Sequence, residues 1–473
     1  MSNQAIPLCV DLDGTLIRSD MLFESALSLL RRNPFYLFFF LAWLLRGRAH
    51  LKREIARRAE VDPVTLPYDE RVVAWLRGEA GQRRRVLCTA SDAGLAQGIA
   101  DHLGLFDEVM ASDGERNLAG RNKAESLRQR YGDKGFDYAG NEQRDLHIWK
   151  HARKAIVVNG HNGLASAAGE HCEVERVFEP AKSGLKVWLQ ALRLHQWLKN
   201  LLVFLPLFAA HRVLEVPALI HCVVAFFAFG LCASGVYVLN DLFDLDADRR
   251  HPRKRLRPFA AGTLPLAAGL VMAPLLTLAG LALALAVSLP FAGVLLCYYV
   301  LTLAYSLRLK RIVMLDVVVL AALYTVRIIG GAVAVGGGLS FWLLAFSMFL
   351  FLSLAMLKRY TELQSMLGSG KAQASGRGYA VDDIALIQSL GGSSGYMSVL
   401  VLALYINSTA SEALYRHQEV LWLLCPLLLY WISRVWLIAH RGTMHDDPVV
   451  FALVDRVSRV VLALCAIVVA GAI

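Results

Sequence analysis

The sequence predicts a soluble α/β domain with a parallel sheet and a helical cap, fused to an all-α domain of about nine transmembrane helices. Three observations predict it. First, 56% of the 473 residues are hydrophobic and 19% charged, but unevenly: through Lys182 there are 26 Lys and Arg against 25 Asp and Glu, and beyond it 23 against 14. Second, short apolar, Val-rich runs alternate with helical patterns over the first 180 residues, as in parallel α/β sheets. Third, apolar runs near bilayer length follow one another from Leu198 onward. Disorder and a small secreted scaffold are excluded by this composition. The eight cysteines form no CxxC pair and read as buried thiols. MSNQAIP runs into a charged motif without an apolar h-region, so no cleavable signal is expected.

The expected strands lie in residues 6–18 (IPLCVDLDGTLIR), 84–91, 106–112, 136–141, 155–159 and 174–179, with a helix over 92–104. Ligands of such sheets bind at the strand C-terminal ends. There Asp11 and Asp13 close the first strand in DLDGT. One carboxylate at a strand end can attack phosphorus, and a second two residues on can protonate the leaving oxygen. Thr89 ends the next apolar strand, Lys123 follows Gly120, and Gly140-Asn141-Glu142-Gln143-Arg144-Asp145 ends another.

These residues resemble the haloacid dehalogenase superfamily, in its phosphatase branch, over residues 1–180 with a cap at about 20–80. The resemblance implies Asp11 as nucleophile, Asp13 as general acid and base, Thr89 as phosphoryl hydrogen-bond donor and Lys123 as charge neutraliser. It also implies Mg²⁺ on Asp11, the Asp13 carbonyl and Asp145. The family commonly has aspartate where this chain has Asn141, which leaves Asn141, Glu142 and Asp145 as alternative ligands. Within the cap, FYLFFFLAWLL (Phe35 to Leu45) precedes Arg46, Arg48, Lys52, Arg53, Arg57 and Arg58. Eleven apolar residues are too few to span a bilayer. They are either a buried cap helix or a segment dipping into the cytoplasmic leaflet.

Residues 181–197 read as a linker helix, interfacial or merely connecting, and 198–473 as the membrane domain. Its nine expected spans lie near 199–211, 217–239, 267–287, 290–306, 314–335, 340–357, 387–407, 418–438 and 454–473. Basic residues cluster after the second, fourth and sixth spans: Arg249, Arg250, Arg253, Lys254, Arg255 and Arg257; Arg308, Lys310 and Arg311; Lys358, Arg359, Lys371 and Arg377. The positive-inside rule places these loops and the N-terminal domain on the cytoplasmic side of the inner (cytoplasmic) membrane. The positive charge is thereby read as topological, and no nucleic-acid partner is expected.

Asn240-Asp241-Leu242-Phe243-Asp244-Leu245-Asp246-Ala247-Asp248 ends the second span. At helical spacing Asp241, Asp244 and Asp248 share a face, where hard oxygen ligands suit Mg²⁺ bridged to a diphosphate. Three carboxylates near hydrocarbon are costly without compensating cations. Arg253, Lys254, Arg255 and Arg257 follow and suit phosphate oxygens or anionic lipid.

NDxxDxxxD followed by a basic RP segment resembles the UbiA-type intramembrane prenyltransferase superfamily over about 185–473. Residues 192–204, 240–258, 305–316 and 357–363 resemble its branch typified by decaprenyl-phosphate phosphoribosyltransferase. Most members carry a second aspartate-rich motif after the sixth span, where this chain has Lys358, Arg359, Tyr360 and Glu362. The resemblance implies transfer of 5-phosphoribose from phosphoribosyl diphosphate to a polyprenyl phosphate, with one or more Mg²⁺ on Asp241, Asp244 and Asp248. Asn240, Lys199, Asn200, Tyr305, Lys310, Arg327, Lys358, Arg359 and Glu362 are the remaining candidate substrate contacts. Lys310 is equally read as a positive-inside anchor. Arg327 and Asp316 are either functional intramembrane charges or neutralise each other. DDPVV, Asp455 and Arg456 receive no chemistry. The phosphatase would then remove the 5-phosphate, giving a polyprenyl-phosphoryl ribose for cell-envelope glycans. Open alternatives are prenyl transfer to an aromatic acceptor, a non-catalytic N-terminal domain and assembly as a homo-oligomer.

Overall fold

The computed structural model describes residues 6–112, 118–161, 163–180, 184–367, 378–444 and 447–473, without the side chains of Arg48 and Ala49. The expected loop cations Lys371 and Arg377, residues 181–183 of the linker and Asp446 lie outside them. Two compact units are formed, Met1–Leu192 with Tyr237–Ala273, and Arg193–Val236 with Pro274–Ile473.

All six expected strands are present: β1 Leu8–Val10, β2 Arg85–Asp92, β3 Glu108–Ser112, β4 Asp137–Gly140, β5 Lys154–Val158 and β6 Glu173–Phe178. They form one sheet, ordered β3-β2-β1-β4-β5-β6, in which every pairing is parallel. Alternation along β1 divides the core. Leu8 and Val10 join Val72, Leu76 and Ile99 on one face, while Cys9 joins Leu127, Tyr138 and Trp149 on the other. Because the chain steps from β1 outward to β2 and later back to β4, the ends of β1 and β4 make a switch point that opens a crevice.

Between β1 and β2 lie four helices, α1 Met21–Arg32, α2 Tyr36–Leu45, α3 Arg48–Ala56 and α4 Glu70–Gly78, the last of which packs on the sheet. Asp20 caps α1 by accepting from Leu22 N, and Asn33-Pro34 stops it. Helix α2 buries no side chain, so a buried cap helix is excluded. In water its aromatic and aliphatic groups would forgo about 1.5–3 kcal/mol each. Phe23 and Leu27 of α1 instead pack with Val238, Leu242, Leu245 and Phe259, in a cluster that Val187, Trp188 and Ala191 of helix Leu185–Leu192 also join.

Among the described residues, seven helices are long and apolar enough to cross a membrane: Val216–Phe243, Leu266–Val287, Leu289–Leu307, Leu315–Ala334, Phe341–Leu367, Val381–Ile406 and Gln418–His440. The other two of the nine expected spans take shorter forms. Residues 199–211 form the 3-10 segment Leu194–Phe204 and the short helix Leu205–Ala209, and the last helix, Arg456–Ala472, has 17 residues. The 3-10 segment lies close against Leu315–Ala334: a Cβ on Gly331 would stand 2.0 Å from the Val203 carbonyl oxygen, so only glycine fits there. The cysteines are all free and mostly buried, except that Cys297 is exposed.

Candidate active sites

In the first unit the β1–β4 crevice gathers the expected phosphate-handling groups. Asp11 follows β1, and its Oδ1 accepts from Lys123 Nζ at 2.8 Å. Lys123 also donates to the Tyr138 hydroxyl at 3.2 Å, which donates in turn to Asp145 Oδ1 at 3.1 Å. Asp145 Oδ2 accepts from the backbone N–H groups of Asn141 and Glu142, both at 2.9 Å. Asp13 accepts from Met21 N at 2.8 Å and from the Ser91 hydroxyl at 3.0 Å. Burial, then Asp20 and Asp11, push the Asp13 carboxyl up to about 7. Burial and Asp11 push Asp145 up to about 6 against Lys123 and the two backbone donors. For Lys123 burial acts downward, and Asp11, Cys88 and Asp145 together more than reverse it.

Among the three alternative ligands, Asp145 is the one tied into this network. Glu142 is exposed, and Asn141 accepts the Thr15 hydroxyl at 3.2 Å. Gly14 has φ +71°, and a Cβ on it would stand 2.1 Å from Asn141 Nδ2, so the turn after Asp13 requires glycine. The fully buried Thr89 accepts from Ser91 N at 3.0 Å. Asp11 and Asp145 are hard oxygen donors on one buried network, a donor chemistry that fits Mg²⁺. Sequence reasoning did not single out Ser91, Tyr138 or the brace at Asp69. This buried carboxylate binds Arg18 and Arg71, and Asn159 links it to the Gly14 carbonyl oxygen.

The aspartate-rich segment belongs to the same unit. The helix ends at Phe243, Asp244 forms the break, and Leu245–Arg250 resumes it. Asp241 and Asp248, both buried, share Arg257 Nη1 at 3.1 and 2.6 Å. Asn240 Nδ2 donates to Asp244 Oδ2 at 3.0 Å. One guanidinium thus supplies part of the cationic compensation expected of a metal. Asp241 and Asp248 remain oxygen donors suited to Mg²⁺, but among the described residues no three Asp, Glu, His or Cys stand together at ligand range. The residual ligands would have to come from elsewhere, as diphosphate oxygens can. Arg253, Lys254 and Arg255 are exposed. Asp246 pairs with Arg31 of α1.

The second unit holds the other cluster. Lys199 and Lys358 both reach Asp447 Oδ2, at 2.9 and 2.8 Å. Arg327 Nε donates to Asn200 Oδ1 at 3.0 Å and its Nη2 to the Tyr298 hydroxyl at 2.8 Å, with the guanidinium over the Tyr298 ring. Arg359 Nε meets Asp316 Oδ2 at 2.5 Å, its Nη2 meets the Tyr305 hydroxyl at 3.0 Å, and its Nη1 pairs with Glu362. Tyr379 donates to the other Asp316 oxygen at 2.5 Å. Of the two alternatives, mutual neutralisation of Arg327 and Asp316 is excluded: Asp316 faces Arg359, and Arg327 is held by an amide and a phenol. Leaving DDPVV without a role is corrected as well, since Asp447 joins two lysines 248 and 89 residues away. Nothing local signals this, because Asp447 before Pro448 reads simply as a helix N-cap, which it also is. Lys310 sits partly buried in the 3-10 turn Leu309–Arg311.

A sequence profile described as the UbiA prenyltransferase family matches residues 201–455. The chain is 38% identical over 467 residues to protein y4nM of Sinorhizobium fredii, whose function is uncharacterized, covering 98% of this chain and 90% of that one. It is 36% identical over 283 residues to the nodulation protein NoeC of Azorhizobium caulinodans, covering 59% and 91%. With the decaprenyl-phosphate phosphoribosyltransferase of Mycolicibacterium smegmatis it shares 30% identity over 296 residues, covering 61% and 92%.

Proposed function

Since the chain belongs to the UbiA prenyltransferase family and is a multi-pass membrane protein, we propose that it transfers 5-phosphoribose from phosphoribosyl diphosphate to a polyprenyl phosphate and then removes the 5-phosphate. The observation that carries the first half is the sharing of Asp447 by Lys199 and Lys358. Two ammonium groups held by one carboxylate leave a net positive charge, suited to a phosphate that is not coordinated by metal. Similarity to decaprenyl-phosphate phosphoribosyltransferases supports the same donor.

In this reading Asp241 and Asp248 would hold Mg²⁺, with Asp244 beside them at the helix break, and the ion would stabilise negative charge developing on the diphosphate. Arg257 holds Asp241 and Asp248 side by side. Lys199 and Lys358 grip the 5-phosphate, and Arg327 and Arg359, fixed by their buried partners, orient phosphate oxygens. The lipid phosphate oxygen attacks the ribose C1, and the C1–oxygen bond to diphosphate breaks.

The product bears one phosphomonoester, the class of group that the β1–β4 crevice suits. Asp11 attacks its phosphorus, Lys123 balances the charge, and Asp13 delivers the proton to the leaving ribose oxygen and then takes one from water. Asp145 joins Asp11 in holding Mg²⁺ there.

Prenyl transfer to an aromatic acceptor competes, because the family description itself names prenyl transfer. Purified protein given Mg²⁺ with labelled phosphoribosyl diphosphate and polyprenyl phosphate, or with prenyl diphosphate and 4-hydroxybenzoate, separates the two. A ribosyl-lipid product in the first mixture supports the proposal, and a prenylated aromatic with no ribosyl lipid rejects it.

A further inference from the structure

Helix α2 has no polar face. Its sequence, YLFFFLAWLL, contains no charged residue, none of its side chains is buried, and Phe38, Leu41 and Leu45 are 66%, 58% and 90% exposed. An amphipathic helix lying on a membrane keeps one side polar. A helix apolar on every side is stable only where apolar matter surrounds it. At about 1.5 Å per residue its ten residues reach about 15 Å, half a hydrocarbon core, so it does not cross.

Neighbouring elements identify what surrounds it. Helix α1, which feeds α2 through the Asn33-Pro34 turn, packs Phe23 and Leu27 on Val238 and Leu242. Those residues end a helix long and apolar enough to cross the membrane. Contacts inside the same unit fasten the cap there, Glu24 to Arg249 and Asp62 to Arg250. Basic residues stand on both sides of α2: Arg31 and Arg32 before it pair with Asp246 and Glu60 and Arg58 after it with Glu54, while Arg46 and Arg57 suit anionic headgroups. Trp43 lies beneath the Arg58 guanidinium at 5.0 Å, an aromatic and cation pair typical of the interface between acyl chains and headgroups.

We propose that α2 is embedded in the acyl layer of the leaflet at which the Phe243 end of the transmembrane helix emerges, and that it holds the α/β domain to the membrane so that its crevice receives a phosphomonoester carried on a lipid. The embedding stands on the geometry of α2 alone. The substrate class rests on the phosphatase reading above.

Spin labels test the embedding in the full chain, in nanodiscs of phosphatidylglycerol and phosphatidylcholine. Labels go on Phe38→Cys, Leu41→Cys and, as an exposed control on the α/β domain, Gln129→Cys, each in a Cys297→Ser background. Dissolved oxygen should relax the labels at 38 and 41 more than a water-soluble nickel chelate does, with the reverse at 129. Nickel accessibility at 38 and 41 equal to that at 129 overturns the proposal. Inaccessibility to both reagents also overturns it, by showing a second copy or another protein over α2.

The Phe38→Ser/Leu41→Ser variant tests the consequence. Hydrolysis of p-nitrophenyl phosphate should stay at the parent rate, while hydrolysis of a membrane-borne phosphomonoester falls about tenfold or more as the crevice loses its position against the acyl layer. An equal fall for both substrates, or for neither, rejects the membrane-positioning role. A parent protein that hydrolyses neither substrate rejects the phosphatase reading and leaves the spin-label result standing.

Discussion

Glu24 and Arg249 form a two-pronged ion pair across 225 residues of sequence, Nη2 to Oε1 at 2.6 Å and Nη1 to Oε2 at 3.0 Å, with both side chains about 95% removed from solvent. Glu24 lies one turn into α1, whose first N–H binds Asp13; Arg249 follows Asp248. The pair therefore ties a helix that begins at the phosphate crevice to the segment that carries the aspartate motif.

Removing one member leaves a buried charge unpaired. Glu24→Ala or Arg249→Ala should each destabilise the first unit by about 3–5 kcal/mol, and Glu24→Leu with Arg249→Met should recover much of it. Denaturant unfolding of the detergent-solubilised full chain, read as a double-mutant cycle, measures this; additive losses would contradict a direct pair.

Arg257 competes with a cation for Asp241 and Asp248. Arg257→Ala should let Mg²⁺ bind at concentrations about tenfold lower while reducing transfer, since one charged hydrogen-bond partner is worth about 1.5–3 kcal/mol. Calorimetric Mg²⁺ titration of the two proteins checks this, and unchanged affinity would remove Asp241 and Asp248 from the metal site.

Lys199 and Lys358 act on one carboxylate, so their losses should not add. Each Lys→Met should raise KM for phosphoribosyl diphosphate by about tenfold or more, and the double variant should fall short of the product of the two. Strictly multiplicative losses would mean that the lysines serve separate groups.

Asp69 carries a pH signature. Burial raises its carboxyl pKa, but Arg71, Arg18 and Asn159 outweigh burial and hold it well below the usual carboxylate range. A lowered folded-state pKa contributes stability that is complete above the unfolded value, about 3.9, and is lost as pH falls below it. Parent protein should therefore lose Tm from about pH 4 downward more steeply than Asp69→Asn, which should already be less stable at pH 7. Parallel Tm curves would contradict this role.

The α/β half was legible because its strands are short apolar runs, with DLDGT and Asn141 to Asp145 following the ends of β1 and β4, while Thr89, expected at a strand end, lies within the adjacent β2. Hydropathy located the central spans, whereas at residues 199–211 the chain forms the 3-10 segment Leu194–Phe204, which keeps Lys199 and Asn200 buried, and the short helix Leu205–Ala209. Apolar content does not distinguish such a segment from a crossing helix. Pairings at long range were not legible. Arg359 to Asp316 and Lys358 to Asp447 depend on which helices pack, and Asp316 has a sequence-nearer cation in Arg327 that it does not use.

The most direct test of the central claim is a time course on the full chain in lipid nanodiscs, with Mg²⁺, polyprenyl phosphate and phosphoribosyl diphosphate, following diphosphate and inorganic phosphate separately. The account predicts diphosphate first and inorganic phosphate after it, with Asp11→Asn stopping only the phosphate and Asp241→Asn stopping both. Phosphate release that persists in Asp11→Asn, or diphosphate release without a ribosyl lipid, would contradict it.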